Sequence, residues 1–501
     1  MNTNKKLETL DEKLKEIANL GHASKLMSWD REVYMPESGS KHRAESISEL
    51  SGLIHQKTLA LDENNLLSDL NAARKDGGLS EDEAVIVRET WREYEREAKL
   101  SEEFVRNLSQ LTSEAQDVWR KARANNDFLQ FGPTLEEIVD MQRKKAEYLE
   151  FETTPYDPLL DGFEPGMSTE KTEKLFSDLR DFLVPLIDKV SDQSLDITHS
   201  ITGKEIRKED QKAFNKEILE KFGYDFQAGR LDASTHPFTL GSQDVRITTR
   251  YDKSDLLSSL SFTLHEMGHG LYEQGLPDKN YGTPLAREPS LGIHESQSRL
   301  WENHIGRSQP FTKWLTRQMQ ENLQSVSDEL TTDNLYRELN TVEPSLIRTE
   351  ADEVTYNLHI IIRFELEKAL IEEGLAVENL PAAWNKKYEE YLGIEVPNNK
   401  QGVLQDIHWS QGSFGYFPTY TFGNLYAAKL DATIREEIDT VDEQLSNGTF
   451  DEILSWLQDN IHKEGMRYKT EDLIENVTGE PLKTDAFKQY IEDKYRGLYD
   501  I

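Results

Sequence analysis

The chain has 501 residues, of which 36% are hydrophobic and 30% are charged, and its formal net charge at pH 7 is −35. So low an apolar fraction favours amphipathic surface helices over a large buried parallel sheet. The negative charge argues against nucleic acid and anionic membranes as partners, because both attract cationic surfaces. Cysteine is absent, which excludes disulfides and thiolate metal sites and leaves His, Asp and Glu as metal ligands.

The beginning of the chain resembles neither a signal peptide nor a membrane anchor. Residues 1–8 lack an apolar core, and no stretch approaches 18 consecutive apolar residues. We therefore expect a soluble cytoplasmic protein.

Apolar residues recur at helical spacing through most of the first 220 residues and predict amphipathic helices. The predicted helices cover residues 4–30, 41–59, 80–124, 134–151, 168–190 and 201–222. Ser80 begins the third of them, with Asp82 and Glu83 in its first turn. Residues 154–166 are dense in Pro and Gly and predict an ordered loop. Since no low-complexity linker separates these elements, we expect one continuous helical body.

The pattern changes between Ala233 and Asp252, where β-branched and polar residues alternate around Gly241 and Ser242. This alternation predicts a β-hairpin that leads directly into the next helix. Such a hairpin is either purely structural or offers an edge strand that pairs with an extended peptide.

The segment Lys253–Gln274 predicts a helix that carries a metal-binding pattern. Its apolar stripe consists of Leu257, Leu260, Leu264, Met267 and Leu271. His265 and His269 lie four residues apart, so both imidazoles project from one face and reach a single ion. Glu266 lies beside them, where it can accept a proton from an activated water. This H-E-x-x-H spacing indicates zinc-dependent hydrolysis.

A hydrolytic zinc site usually has three protein ligands and one open position. Glu295 lies 26 residues after His269 on the next predicted helix and is the candidate we favour. Glu288, in a Pro-rich loop, and Glu302, two turns further along the helix, are the alternatives. Arg299 follows Glu295 by one turn and either orients its carboxylate or forms an ordinary surface pair.

Arg348 and Asp352 lie at the start of a predicted long helix that runs to about Glu373. Their spacing fits an ordinary i, i+4 salt bridge. In the functional interpretation, Arg348 binds a substrate carboxylate while Asp352 holds the guanidinium.

Residues 402–420 are rich in Gly and aromatic side chains and have little helical periodicity, as is typical of loops that line a cleft. His408 and Tyr420 are the candidate donors to the oxyanion of a tetrahedral intermediate. For Trp409, Phe414 and Phe417, core packing is the better interpretation. The chain from Phe450 to Ile501 is predicted to be helical again.

Taken together, these stretches resemble the carboxypeptidase Taq family of metallocarboxypeptidases over nearly the full length. The resemblance rests on blocks in a fixed order: His236-Pro237-Phe238, Asp244-x-Arg246-x-Thr248, His265-Glu266-x-x-His269, His294-Glu295-Ser296-Gln297-Ser298-Arg299, Ile347-Arg348-x-x-Ala351-Asp352 and Gly402-x-x-Gln405-Asp406-x-His408-Trp409. Glu164-Pro165-Gly166-Met167 and the pair Trp29-Asp30 agree as well. The set is far more specific than the zinc-binding pattern alone.

The resemblance implies a mainly α fold: a single catalytic domain, residues 1–501, with two helical lobes around a long deep groove like that of neurolysin and angiotensin-converting enzyme. A small β-sheet would lie beside the metal helix. It also implies a homodimer that removes C-terminal residues from peptides with broad specificity, using one zinc ion per subunit or cobalt in its place.

Carried onto this chain, the resemblance assigns a role to each candidate residue. His265, His269 and Glu295 would bind the metal, and Glu266 would be the general base. Arg348 would bind the free C-terminal carboxylate, and Tyr420 with His408 would stabilise the transition state. The remaining substrate-binding candidates are His236, Arg246 and Tyr416. Two alternatives stay open: an endopeptidase or dipeptidyl peptidase with the same site, and a metal-stabilised interaction protein without turnover.

Overall fold

The computed structural model describes residues 2–191, 193, 195, 201–241, 244–323, 326 and 330–500. Within these residues the chain forms twenty α-helices, several short 3-10 turns, one π-helical turn at Leu300–Ile305 and one small β-sheet. The helices are α1 (Thr3–Val33), α2 (Ser40–Leu59), α3 (Leu66–Lys75), α4 (Glu81–Ala98), α5 (Glu102–Asn125), α6 (Gly132–Leu149), α7 (Asp157–Leu160), α8 (Thr169–Ser191), α9 (Lys208–Lys221), α10 (Leu256–Gly275), α11 (Leu291–Arg299), α12 (Gln309–Asn322), α13 (Thr332–Leu339), α14 (Tyr356–Ile371), α15 (Leu380–Leu392), α16 (Pro418–Glu437), α17 (Val441–Asn447), α18 (Asp451–Asn460), α19 (Thr470–Thr478) and α20 (Asp485–Tyr499). The predicted mainly α fold is confirmed.

Most predicted helices are present, but two of those predicted in the first 222 residues differ from the structure. The single helix predicted over residues 80–124 is two helices, α4 and α5, because the Ser101 side chain accepts a hydrogen bond from the Phe104 N–H and caps a new helix. The helix predicted from residue 201 begins only at Lys208. Before it, the Ile206 N–H donates to the Lys253 carbonyl at 2.8 Å, which ties this segment to the entry of α10.

The sheet has three strands: β1 (Gly229–Ala233), β2 (Thr239–Leu240) and β3 (Val245–Thr249). Strands β2 and β3 are antiparallel and form the predicted hairpin, whose residues Ser242 and Gln243 lie outside the described part. Strand β1, which the sequence did not predict, pairs with β3 in parallel. The sheet packs on α10, since the Thr263 hydroxyl donates to the Thr249 hydroxyl at 3.1 Å. The predicted small sheet beside the metal helix is therefore confirmed.

The long helix predicted from residue 347 begins late. Residues 348–350 form a single 3-10 turn, and α14 starts at Tyr356. The reason is Asp352, whose Oδ1 accepts the N–H groups of Val354 and Thr355, both at 2.9 Å. Asp352 thus caps the entry to α14.

The apolar interior is divided unequally. A large cluster unites α5–α20 with the sheet. A smaller cluster lies between α1, α3 and α4, formed by Leu10, Leu14, Leu61, Leu66, Leu67, Leu70 and Val87. No helix of the described residues is long and apolar enough to cross a bilayer.

Candidate metal centre

Helices α10 and α11 bring the three predicted metal ligands together. The imidazole centroids of His265 and His269, one turn apart on α10, are 5.0 Å from each other. Glu295 of α11 faces both: its Oε2 lies 3.3 Å from the Nε2 of His269 and 3.7 Å from that of His265. One ligand atom from each of the three residues lies within 4.8 Å of the others.

Two glycines allow this convergence. At Gly268 a Cβ atom would lie 2.5 Å from the Gln297 carbonyl oxygen, so only glycine lets α10 and α11 approach this closely. At Gly423, on α16, a Cβ would lie 2.4 Å from the Cγ of Glu295. The side chain of Glu295 therefore lies against the bare backbone of α16.

Hydrogen bonds at the far ring nitrogens fix both imidazoles. The Nδ1 of His265 lies 2.8 Å from Oε2 of Glu302, and the Nδ1 of His269 lies 3.1 Å from the carbonyl of His294. Both partners accept, so both Nδ1 atoms carry hydrogen and both Nε2 lone pairs face Glu295. Two imidazoles and a carboxylate are the donor set that zinc accepts. The structure therefore favours Glu295 over Glu302, which lies on the opposite side of His265.

The charges around the cluster are consistent with ligation. Burial lowers the pKa of His269 to about 3, which keeps this imidazole neutral. Burial alone would raise the pKa of Glu295, but Arg299 and the two imidazoles outweigh it and hold that pKa well below the usual range. The Nε of Arg299 donates to Oε1 of Glu295 at 2.7 Å. The orienting contact suggested for Arg299 is thus present. Glu288 is not part of the His–His–Glu cluster found among the described residues.

Glu266 is buried on the same helix and is absent from the ligand set. The hydroxyl of Thr239, on β2, lies 2.5 Å from its Oε2 and 3.1 Å from its carbonyl oxygen. Burial raises the pKa of Glu266, against the opposing effects of His265 and Thr239. The role of Thr239 was missed by the sequence, because nothing in a two-residue strand indicates what its hydroxyl contacts.

Arg348 is buried, but its partner is not the predicted one. Its Nε donates to Oδ1 of Asp406 at 3.0 Å, and its Nη2 lies 2.9 Å from the same oxygen in an ion pair. The prediction that Asp352 holds this guanidinium is wrong, because the Asp352 carboxylate is already used in capping α14. Arg363, from α14, takes the other oxygen of Asp406 at 2.7 and 2.6 Å. Burial would raise the pKa of Asp406, but the two arginines keep it well below its ordinary value.

The loop before α16 brings His408, Tyr416 and Tyr420 to the same region. The Nε2 of His408 lies 3.2 Å from the Tyr420 hydroxyl, and the guanidinium carbon of Arg348 lies 4.9 Å from the Tyr420 ring centroid. Burial lowers the pKa of His408 to about 3, so this ring is neutral at ordinary pH. Burial and the nearby charge of Glu295 raise the pKa of Tyr416. The three side chains therefore form one cluster beside Arg348, and Tyr416 and Tyr420 lie near enough to Glu295 that burial and its charge both raise their pKa.

A buried carboxylate holds this loop in place. Glu367 of α14 accepts hydrogen bonds from the Trp409 indole at 2.9 Å, the Gly415 N–H at 3.0 Å and the Tyr156 hydroxyl at 2.6 Å. Burial raises its pKa to about 7, because these neutral donors lower it less than burial raises it. This role could not be predicted from the sequence, since the donors come from distant parts of the chain.

The contacts of His236 and Arg246 are with residues outside the metal cluster. His236 is exposed, and its carbonyl accepts from the Ser234 hydroxyl at 2.7 Å. Arg246 pairs with Asp244 at 2.7 Å and lies 4.2 Å from the centroid of the Trp29 ring. Within the described residues neither side chain contacts a metal ligand, so their substrate-binding roles stay predictions.

A His–His–Glu cluster with an unligated glutamate beside it, on a mainly helical scaffold, defines the class of metallopeptidases. The family model described as carboxypeptidase Taq (M32) metallopeptidase matches residues 9–495, and the chain belongs to this family. It is therefore a metallocarboxypeptidase.

The similarity to individual relatives extends over almost the whole chain. The thermostable carboxypeptidase 1 of Thermus thermophilus is 41% identical, with 97% of each chain covered. The carboxypeptidase 1 of Bacillus subtilis is 40% identical, again with 97% of each covered. The crystal structure of an M32 carboxypeptidase from Deinococcus radiodurans superposes with a TM-score of 0.95 at 36% identity, over 99% of this chain and 100% of the other.

Proposed function

We propose that this enzyme releases single residues from the free C-terminus of peptides, with broad specificity and with one zinc ion per subunit. The observation that carries the proposal is the convergence of His265, His269 and Glu295, which leaves Glu266 unligated beside them. Zinc bound by these three residues would activate water and polarise the scissile carbonyl. Cobalt accepts the same donors and is expected to substitute.

Glu266 is the general base of the proposed reaction. Its carboxylate removes a proton from the attacking water and delivers it to the leaving amine. The position of Glu266 supports the role, because it is buried beside the three ligands without belonging to them. Thr239 limits the orientations of this carboxylate, since its hydroxyl lies within hydrogen-bond distance of Oε2.

Arg348 binds the terminal carboxylate of the peptide. Its guanidinium is held rigidly by Asp406, and fixed arginine forks are well suited to carboxylates. Tyr420 and neutral His408 donate to the developing oxyanion. Tyr416, whose ring lies 5.4 Å from that of Tyr420, forms part of the wall that faces the substrate. Longer peptides would extend toward His236 and Arg246.

An endopeptidase with the same metal ligands is the rival function. The buried Arg348 favours an exopeptidase, because an internal peptide segment offers no carboxylate to this guanidinium. The test is to incubate zinc-loaded protein with N-acetyl-Ala-Ala-Ala-Phe and with its C-terminal amide, and to follow products by mass spectrometry. Release of Phe from the free acid alone is expected. Internal fragments, or equal cleavage of the amide, would contradict the proposal.

Three further properties stay predictions. We propose that residues 1–501 form one catalytic domain, with a groove between two helical lobes. The homodimer rests on the family resemblance and is checked by light scattering during size-exclusion chromatography. The cytoplasmic location rests on the sequence and is checked by cell fractionation.

A further inference from the structure

Two arginines of the site contact the same tyrosine, Tyr356. The guanidinium carbon of Arg299 lies 4.3 Å from the centroid of its ring. The Nη1 of Arg348 donates to its hydroxyl at 3.1 Å. Tyr356 is 5% exposed and is the first residue of α14, the helix that Asp352 caps. Its backbone is therefore fixed by the helix, and its ring by packing.

The two arginines serve different parts of the site. Arg299 holds Glu295 on the metal side, at 2.7 Å. Arg348 is the proposed anchor for the peptide carboxylate. The distance from ring to hydroxyl in a tyrosine is covalently fixed, and the side chain has only two soft torsions. Tyr356 is thus a rigid spacer between Arg299, which holds the metal ligand Glu295, and Arg348.

Arg348 keeps donors for a ligand after these contacts are made. Its guanidinium has five N–H groups. Asp406 accepts from Nε and forms an ion pair with Nη2, and Tyr356 accepts from Nη1. Two N–H groups, one on Nη1 and one on Nη2, have no recorded partner in the described part of the chain. A carboxylate can accept from both at once.

We propose that Tyr356 is a positioning residue that sets the separation between the metal centre and the carboxylate anchor, and so confines cleavage to the last peptide bond. This inference rests on the function proposed above. The hydroxyl fixes Arg348, while the ring fixes how far Arg348 lies from Arg299 and Glu295. Tyr356 acts through these arginines and needs no contact of its own with the reacting atoms.

The decisive variant is Tyr356→Phe, which keeps the ring and removes only the hydroxyl. With zinc-loaded protein and N-acetyl-Ala-Ala-Ala-Phe, we expect KM to rise about tenfold, the effect of losing one hydrogen bond to a charged group. The value of kcat should stay within about twofold, and zinc affinity, measured by chelator competition, should not change. The matched control is Tyr495→Phe on α20, which removes a buried hydroxyl that donates to Glu353 and does not contact either arginine of the pair; it should leave KM unaltered.

The variant Tyr356→Leu also removes the spacer. It is expected to release the dipeptide Ala-Phe from the same peptide in addition to Phe. If this variant does not fold, Tyr356→Phe decides alone. An unchanged KM in Tyr356→Phe, or an equal change in Tyr495→Phe, overturns the inference. Wild-type protein that releases no Phe would instead refute the proposed function, so the two failures are distinguishable.

Discussion

The Nδ1 atom of His265 lies 2.8 Å from the Oε2 atom of Glu302, a carboxylate 37 residues further along the chain. Glu302 belongs to the π-helical turn that follows α11, so one continuous segment supplies both the proposed third ligand, Glu295, and the support of the first. Burial would raise the pKa of Glu302, but Arg299 and His265 outweigh it and lower that pKa to about 2. Glu302 is therefore ionised at every working pH.

Replacing this support should weaken zinc binding. For Glu302→Gln we expect a zinc affinity about 10–100-fold lower, because a carboxylate on the far nitrogen orients a histidine ligand and increases its basicity. The measurement is competition with a chromophoric chelator. Glu288→Gln is the control, since Glu288 had suitable spacing but is outside the cluster. Equal losses of zinc affinity in the two variants would contradict a specific role of Glu302 in supporting His265.

Glu266→Gln should separate metal binding from turnover. The amide cannot accept the proton of the attacking water, so kcat should fall by about 10²–10⁴-fold. Zinc content, measured by atomic absorption, should equal that of wild type because Glu266 is not a ligand. Near-normal turnover would rule out the assignment of Glu266 as the base.

Asp406→Asn tests the corrected partner of Arg348. Removing a buried carboxylate that two arginines share should cost about 3–5 kcal/mol in the free energy of unfolding and should raise KM for peptides with a free C-terminus. Asp352→Asn is the control: its amide oxygen can still cap α14, so stability should change by less than about 1 kcal/mol and KM should stay unchanged. Urea denaturation and steady-state kinetics distinguish them. If KM rose only in Asp352→Asn, Asp352 and not Asp406 would be the functional partner of Arg348.

Gly268→Ala tests the close contact of α10 and α11. Alanine normally favours a helix, but here its Cβ would lie 2.5 Å from a backbone oxygen, so the helices must separate. We expect destabilisation of about 1–3 kcal/mol together with weaker zinc binding. Gly497→Ala, in α20 with no atom near its Cβ, should instead stabilise by about 0.5–1 kcal/mol. Thermal and urea unfolding give both values.

Glu367 should make stability fall between pH 5 and pH 8. Its pKa rises from 4.5 to about 7 on folding, so the folded chain binds this proton more tightly than the unfolded chain. The stabilisation is complete below about pH 4.5 and is lost as the pH rises through about 7. In Glu367→Gln the group cannot titrate, so the stability of wild type relative to the variant should drop by up to about 3 kcal/mol over this range. Urea denaturation of both proteins at pH 5 and pH 8 measures this difference. If the free energies of unfolding of wild type and Glu367→Gln changed equally with pH, the prediction would be wrong.

The sequence predicted what local spacing encodes. The i, i+4 spacing of His265 and His269 and the capping serine at residue 80 determine local geometry directly, and the structure agrees. Long amphipathic stretches located the helices for the same reason. The boundary at Ser101 was missed because the apolar periodicity continues across it.

Contacts between distant segments could not be predicted in this way. Asp352 has the right spacing to pair with Arg348, yet Asp406, 58 residues away, takes that position. Strand β1 was missed because parallel pairing with β3 joins segments whose register nothing local specifies. Thr239 and Glu367 were missed for the same reason, since each acts on a segment that only the tertiary fold brings near.

Gly423 and Tyr420 are neighbours on one turn of α16, and the Cγ of Glu295 lies against the first of them. The same turn of α16 therefore packs against Glu295, the proposed metal ligand, and carries the hydroxyl of Tyr420, the proposed donor to the oxyanion. Any displacement of this turn disturbs the positions of Glu295 and Tyr420 together. A substitution that shifts this turn, as any side chain at Gly423 would, should therefore weaken metal binding and hydrolysis together.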